Sequence, residues 1–106
     1  MKKKFMRGGS LLANALKEKG VNQIFTLAGG FCNPALEGMM EFKMSVINCP
    51  HEQIAGHLAD GHTRITRKPV VCLVGPEGFA NAVPAMLEAW GERSPVIFIT
   101  GSSTQK

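Results

Sequence analysis

Long apolar runs are missing from this sequence. The two richest stretches, Pro69 to Val74 and Pro95 to Ile99, fall far short of the ~20 consecutive apolar residues that a membrane-spanning helix needs, so no membrane segment is expected. Paired cysteines are missing too. Cys32, Cys49 and Cys72 form an odd set with no Cys-x-x-Cys spacing. That pattern argues against a disulfide framework and for a reducing, cytoplasmic setting. No Cys-x-x-Cys or His-x3-His pair offers the spacing of a structural zinc site, so no metal is assigned to Cys49, His51, His57 or His62. The sequence also lacks a Gly-x-Ser-x-Gly nucleophile elbow, a Gly-Lys-Ser/Thr phosphate loop and a complete dinucleotide fingerprint.

Positive charge is present, but not where a nucleic-acid surface would need it. The chain carries 12 Lys and Arg against 8 Asp and Glu, a net charge of +4. Lys2, Lys3, Lys4 and Arg7 all fall in the first seven residues, and without them 8 basic residues face 8 acidic ones. Residues 1–7 therefore read as a solvated basic tail rather than a secretory signal. The body, residues 8–106, has no basic stripe interleaved with aromatics, and no nucleic-acid partner is expected.

What is present is one domain's worth of ordinary globular sequence. At 106 residues and 44% hydrophobic content, the chain can build a modest core and is not expected to be disordered. Helical and extended signals alternate along it. Leu11, Leu12, Ala15 and Leu16 fall at helical spacing after Gly8-Gly9, with Ser10 as N-cap and Gly20 as stop. Gln23 to Leu27 reads as a strand, and Pro34 opens a short helix through Met40. Ser45 to Asn48 reads as a second strand. Glu52 to Thr66 reads as a helix with Ile54, Leu58 and Ile65 on or near one face; Gly56 and Gly61 mark places where something can press close. Val70 to Val74 is a strand, Asn81 to Glu92 a helix with Pro84 near its start, and Val96 to Thr100 a last strand. The two apolar strands, Val70 to Val74 and Val96 to Thr100, suggest burial on both faces.

Strands alternating with helices in this way predict an α/β fold. Helices should cover a parallel sheet of about four strands, giving three layers, α/β/α, of the flavodoxin-like kind. In open parallel sheets, ligands bind beyond the carboxyl ends of the strands. That directs attention to Ala28 to Asn33, Cys49 to Gln53, Gly75 to Asn81 and Gly101 to Ser103. Gly29-Gly30 is either a plain tight turn or a place where backbone approaches a ligand. Glu52, where a strand gives way to a helix, has two readings. It is an acid favoured by the helix dipole, worth about 0.3–1 kcal/mol, or a carboxylate held at a cleft edge to exchange a proton with a ring nitrogen.

Several segments together resemble a known family. They include Gly8-Gly9, Lys17-Glu18-Lys19-Gly20-Val21, Ile24-Phe25, Leu27-Ala28-Gly29-Gly30 and His51-Glu52-Gln53. Ala59-Asp60-Gly61, Arg64, Asn81-Ala82-Val83, Glu88-Ala89-Trp90, Ser94-Pro95 and Thr100-Gly101 follow in register. In that order the chain resembles the amino-terminal pyrimidine-binding domain of thiamine diphosphate enzymes of the acetolactate synthase, benzaldehyde lyase and oxalyl-CoA decarboxylase types. The resemblance implies that Glu52 hydrogen-bonds a ring nitrogen of the cofactor's aminopyrimidine and activates it. It implies that Gly29, Gly30, Gly78 and Asn81 line the cofactor cleft and that Phe31 faces substrate. It further implies a lyase or transferase acting on 2-oxo acids. The cofactor's diphosphate and its Mg2+ would be held by a partner domain or subunit in a homo- or hetero-oligomer.

Three departures accompany the resemblance. Relatives carry Gly-Pro-Gly where this chain has Pro76-Glu77-Gly78, so Glu77 replaces a proline and either perturbs Glu52 or turns outward. Phe31 stands where some lyases have a catalytic histidine, and His62 replaces a tyrosine common in its helix. The chain also carries no Gly-Asp-Gly diphosphate segment and reads as a partial pyrimidine-binding domain over residues 8–106. A non-catalytic remnant serving as a subunit-interface module is the alternative.

Overall fold

The computed structural model describes residues 7–29 and 32–102. Gly30, Phe31, Ser103 and the tail through residue 6 lie outside the described residues, so the readings placed on them are not addressed by it. Four helices alternate with four strands: α1 (Gly8–Glu18), β1 (Gln23–Thr26), α2 (Asn33–Glu41), β2 (Ser45–Asn48), α3 (Glu52–Thr66), β3 (Val70–Val74), α4 (Phe79–Gly91) and β4 (Val96–Thr100). The strands form one parallel sheet in the order β2-β1-β3-β4. Its chain order reverses between β1 and β3, the kind of switch point where such sheets bind ligands.

Two apolar layers sandwich the sheet. On one side Ala13, Leu16, Ile24, Leu36, Met39, Val71 and Leu73 join α1 and α2 to the strands. On the other, Phe25, Ala55, Ala59, Val70, Cys72, Val74 and Ala82 join α3 and α4. Alternate residues of β3 thus enter opposite layers, which explains why all five of its side chains are buried. β4 does not follow suit. It is an edge strand with Ile97 exposed, so only part of its apolar run is covered.

Two pairs of helices pack unusually closely, and glycine permits both. A Cβ on Gly38 would lie 2.2 Å from the Gly9 carbonyl oxygen, and one on Gly9 would lie 1.9 Å from that of Pro34, so α1 and α2 touch through backbone. A Cβ on Gly56 would lie 2.5 Å from the Ala85 Cβ, where α3 crosses α4. Gly61, by contrast, has open space where a Cβ would stand, and nothing presses on it.

Some local expectations need correction. α1 begins at Gly8 with Arg7 as its N-cap residue and no side-chain cap. Ser10 instead lies inside the helix and donates to Glu41 Oε2 at 2.7 Å, tying α1 to α2. α4 begins two residues before Asn81, which moves Pro84 inside the helix and removes one backbone hydrogen bond there. Gly20 does adopt the left-handed conformation, φ 88°, that a stop after α1 requires.

The apolar face of α3 points the other way from what its periodicity suggests. The residues against the sheet and α4 are Ala55, Gly56, Ala59, Asp60 and Thr63, whereas Ile54, Leu58 and Ile65 face outward. Close packing selects small residues for the inner face and leaves the large ones exposed.

Candidate functional site

The carboxyl ends of β2 and β3 lead directly into the starts of α3 and α4, and there the side chains converge. β2 ends at Asn48, whose Oδ1 accepts from the Ala28 amide at 3.1 Å and holds the loop after β1 against its neighbour. Below it, Thr26 Oγ1 donates to the Leu73 carbonyl at 2.7 Å, locking β1 to β3 in the buried layer. Neither polar tie was visible in the sequence, because each joins residues distant along the chain.

His51 occupies the N-cap of α3 with extended backbone, and its Nδ1 accepts from the Gln53 amide at 3.0 Å. This satisfies one of the free amides of the first turn. The capped turn carries Glu52 inward. Only 8% of Glu52 is exposed, which is unusual for a glutamate at a helix start.

Two groups define the surroundings of its carboxylate. Asn81, on the first turn of α4, donates from Nδ2 to Oε1 of Glu52 at 3.2 Å. Gly78, the N-cap residue of α4, lies so close that a Cβ there would stand 2.5 Å from Glu52 Cδ and 2.7 Å from Oε1. The second oxygen, Oε2, is buried and has no hydrogen-bond partner among the described residues. Leaving such a group unsatisfied costs roughly 1–3 kcal/mol, more if it is charged. An unsatisfied buried carboxylate oxygen is rare in folded proteins, and this one lies at the ligand edge of a parallel sheet.

The other residues named from sequence are distributed around this point. Gly29 lies exposed at the end of β1, with open space where a Cβ would stand and its carbonyl accepting from Cys32 N at 2.9 Å. The Gly75–Gly78 turn is closed by Gly78 N donating to the Gly75 carbonyl at 3.1 Å. Glu77 is exposed, and its Oε2 lies 3.4 Å from where a Gly75 Cβ would stand. Burial pushes the Cys32 thiol up against a lowering backbone bond at Gly101, and the Glu77 charge adds a smaller upward push. Of the two courses open to Glu77, it takes the outward one. His62 meets Phe25 edge-on, with ring centroids 5.7 Å apart, a packing contact away from the site.

Comparison with known proteins bears on what this edge serves. Residues 6–106 match the family described as "Thiamine pyrophosphate enzyme, N-terminal TPP binding domain". The chain belongs to this family. It is 35% identical over 97 residues to an acetolactate synthase large subunit of Mycobacterium tuberculosis, covering 91% of this chain and 18% of that protein. It is 34% identical over 98 residues to the acetolactate synthase isozyme 2 large subunit of Escherichia coli, covering 91% and 18%. Among solved structures, benzoylformate decarboxylase from Polynucleobacter necessarius superposes with a TM-score of 0.79 at 22% identity, over 94% of this chain and 19% of that one. That likeness shows the shared α/β fold. The chain thus spans about a fifth of the length of the relatives it matches.

Thiamine diphosphate is the cofactor of this thiamine pyrophosphate enzyme family. The groups at the carboxyl edge are compatible with one end of such a molecule. A buried carboxylate oxygen awaits a hydrogen-bonding partner, and a glycine stands where any side chain would collide with that carboxylate. Among the described residues named at this point none is a lysine or arginine that would offset the charge of a diphosphate.

Proposed function

We propose that this chain supplies the pyrimidine-binding half of an acetolactate synthase-like lyase or transferase acting on 2-oxo acids. In this reading Glu52 engages the cofactor's aminopyrimidine. The observation that carries it is the state of Glu52: buried, anchored through Oε1, and, among the described residues, unpartnered at Oε2. When bound, thiamine diphosphate supplies the carbanion chemistry that breaks and makes carbon–carbon bonds beside a carbonyl. Glu52 holds or releases a proton at Oε2 toward a ring nitrogen, in surroundings that exclude most water and so strengthen the contact. Gly78 leaves room for the Glu52 carboxylate, and Gly29, with open space where a Cβ would stand, leaves room for the ring to approach. The family resemblance also assigns Gly30 to cofactor binding and Phe31 to the substrate side.

A diphosphate-binding domain, in another subunit of a homo- or hetero-oligomer, holds the diphosphate and Mg2+ and completes the site. An outward apolar face supports such a partner. Ile54, Leu58 and Ile65 on α3, with Val83, Leu87 and Trp90 on α4, form stripes that begin within two turns of Glu52 and Asn81. Trp90 is 81% exposed and Ile65 86%. A groove of about 530 Å³ on this outer face, lined by His51, Gln53, Ile54, His57 and Leu58, does not include Glu52 and belongs to the covering surface rather than the cofactor cleft. The three buried, unpaired thiols are compatible with a reducing compartment.

The test is a comparison of Glu52→Gln with the wild type, each in complex with its diphosphate-binding partner. Loss of a general acid–base group predicts a fall in kcat of about 10²–10⁴-fold. Unchanged turnover would remove Glu52 from the chemistry. The same apolar face favours a second reading, a non-catalytic interface module, and that reading would then stand.

A further inference from the structure

Asn81 is exposed on the first turn of α4, yet its side-chain amide is already engaged within the chain. A carboxylate only accepts, so it is Nδ2 of Asn81 that donates, and the bond is charge-assisted when Glu52 is ionised. This makes the two oxygens of Glu52 inequivalent. Oε1 is tied across to α4, while Oε2 is buried without a partner among the described residues. A glutamate has three rotatable side-chain bonds, and nothing in the first turn of α3 alone would choose which oxygen faces the cleft. Gly78 removes the remaining freedom on one side, because the carboxylate packs against its Cα hydrogens at the distance where a Cβ would collide.

We infer that Asn81 is a positioning residue that acts through Glu52 rather than on the cofactor, fixing Oε1 so that Oε2 is the oxygen presented to the aminopyrimidine. This rests on the reading of Glu52 given under Proposed function. It departs from the sequence expectation that Asn81 itself lines the cleft as a cofactor ligand. The site then depends on the mutual placement of α3 and α4, since the carboxylate comes from one helix and its anchor from the other.

The test uses the full chain labelled with ¹³C and ¹⁵N at glutamate and asparagine, followed by NMR without cofactor. One Asn81 Nδ2 proton should exchange with solvent on the order of tenfold more slowly than those of the exposed Asn22 and Asn33. Glu52→Ala should abolish that protection. In Asn81→Leu, which keeps the shape and removes the donor, the Glu52 Cδ resonance and side-chain couplings should move toward those of the exposed glutamates. Backbone amides away from the site should stay in place. A wild-type Asn81 amide as fast as Asn22, which requires no variant to observe, would overturn the inference. So would an unmoved Glu52 in Asn81→Leu. Adding thiamine diphosphate and magnesium to Glu52→Gln tests the other premise: binding equal to wild type, with the Asn81 contact intact, would refute the role of Glu52 and leave the contact standing.

Discussion

Between Gly78 and the carboxylate of Glu52 there is room for a hydrogen atom and nothing larger. The backbone at Gly78, φ −94°, is one that any residue adopts, so alanine would be excluded here by Glu52 rather than by its own conformation. The colliding atoms are the far end of a side chain, which can move. Gly78→Ala should therefore cost the fold no more than about 1–3 kcal/mol. The displaced carboxylate should cost far more in function, on the order of 10²-fold in turnover for a shift of about an ångström. Thermal unfolding and turnover measured on the same preparation separate the two effects. A large fall in Tm with full activity per folded molecule would contradict this account of Gly78. Glu52 was legible as a candidate from its position and its His-Glu-Gln setting. Its anchor was not, because it depends on an asparagine 29 residues away, and its burial was not, because that follows from how α3 packs.

Helices α3 and α4 carry the site, and two features hold them together. The first is the close crossing at Gly56, where a Cβ would meet Ala85 at 2.5 Å, while Gly61, further along the same helix, has open space. Gly56→Ala should destabilise the chain by about 1–3 kcal/mol, lowering Tm by roughly 4–8 °C per kcal/mol. Gly61→Ala should raise stability by up to ~1 kcal/mol, the usual gain in helix propensity. Equal effects of the two substitutions would refute the crossing as the cause.

The second feature is a polar clasp. Arg64 donates to Asp60 through Nε at 3.1 Å and Nη2 at 2.8 Å, and reaches Glu88 of α4 at 3.1 Å. Ser94 also donates to Asp60 from the segment before β4. Burial by itself would push the Asp60 carboxyl up, but the bonds from Arg64 and Ser94 prevail and hold it below its ordinary value. A depressed folded pKa stabilises the fold above the unfolded value of ~3.9 and loses that contribution as pH falls through the folded value. The Tm of wild type should therefore fall in this acid range more steeply than that of Asp60→Asn. Parallel pH profiles would show that the clasp contributes nothing.

Asp60, Arg64, Glu88 and Ser94 stood out in the sequence only as marks of family resemblance, and the structure gives them a mechanical role. The order of all eight elements was legible from glycine stops, the proline at the start of α2 and apolar periodicity. The inner and outer faces of α3 were not, since periodicity reports where large apolar residues lie and not whether a close-packed neighbour leaves them room. The Gly9–Gly38 crossing was hidden for a related reason: each glycine looks like local punctuation until the fold brings the two together.

At the scale of the molecule, a β2-β1-β3-β4 parallel sheet places the ends of β2 and β3 on either side of β1, and the loops leaving all three meet at one edge. The chain brings one carboxylate, its anchor and a glycine to that edge, with an apolar face descending from it along α3 and α4. This is the make-up that the proposed half-site asks for: a buried carboxylate beside an apolar outer face. The relatives, about five times longer, have length enough for the complementary half. The most direct measurement is an NMR titration of the labelled chain with thiamine diphosphate and magnesium. Amide shifts confined to Gly29, Glu52 and the Gly78–Asn81 turn, and lost in Glu52→Gln, are the expected result. A folded chain showing no shift there at millimolar cofactor would contradict the assignment of this edge to the pyrimidine.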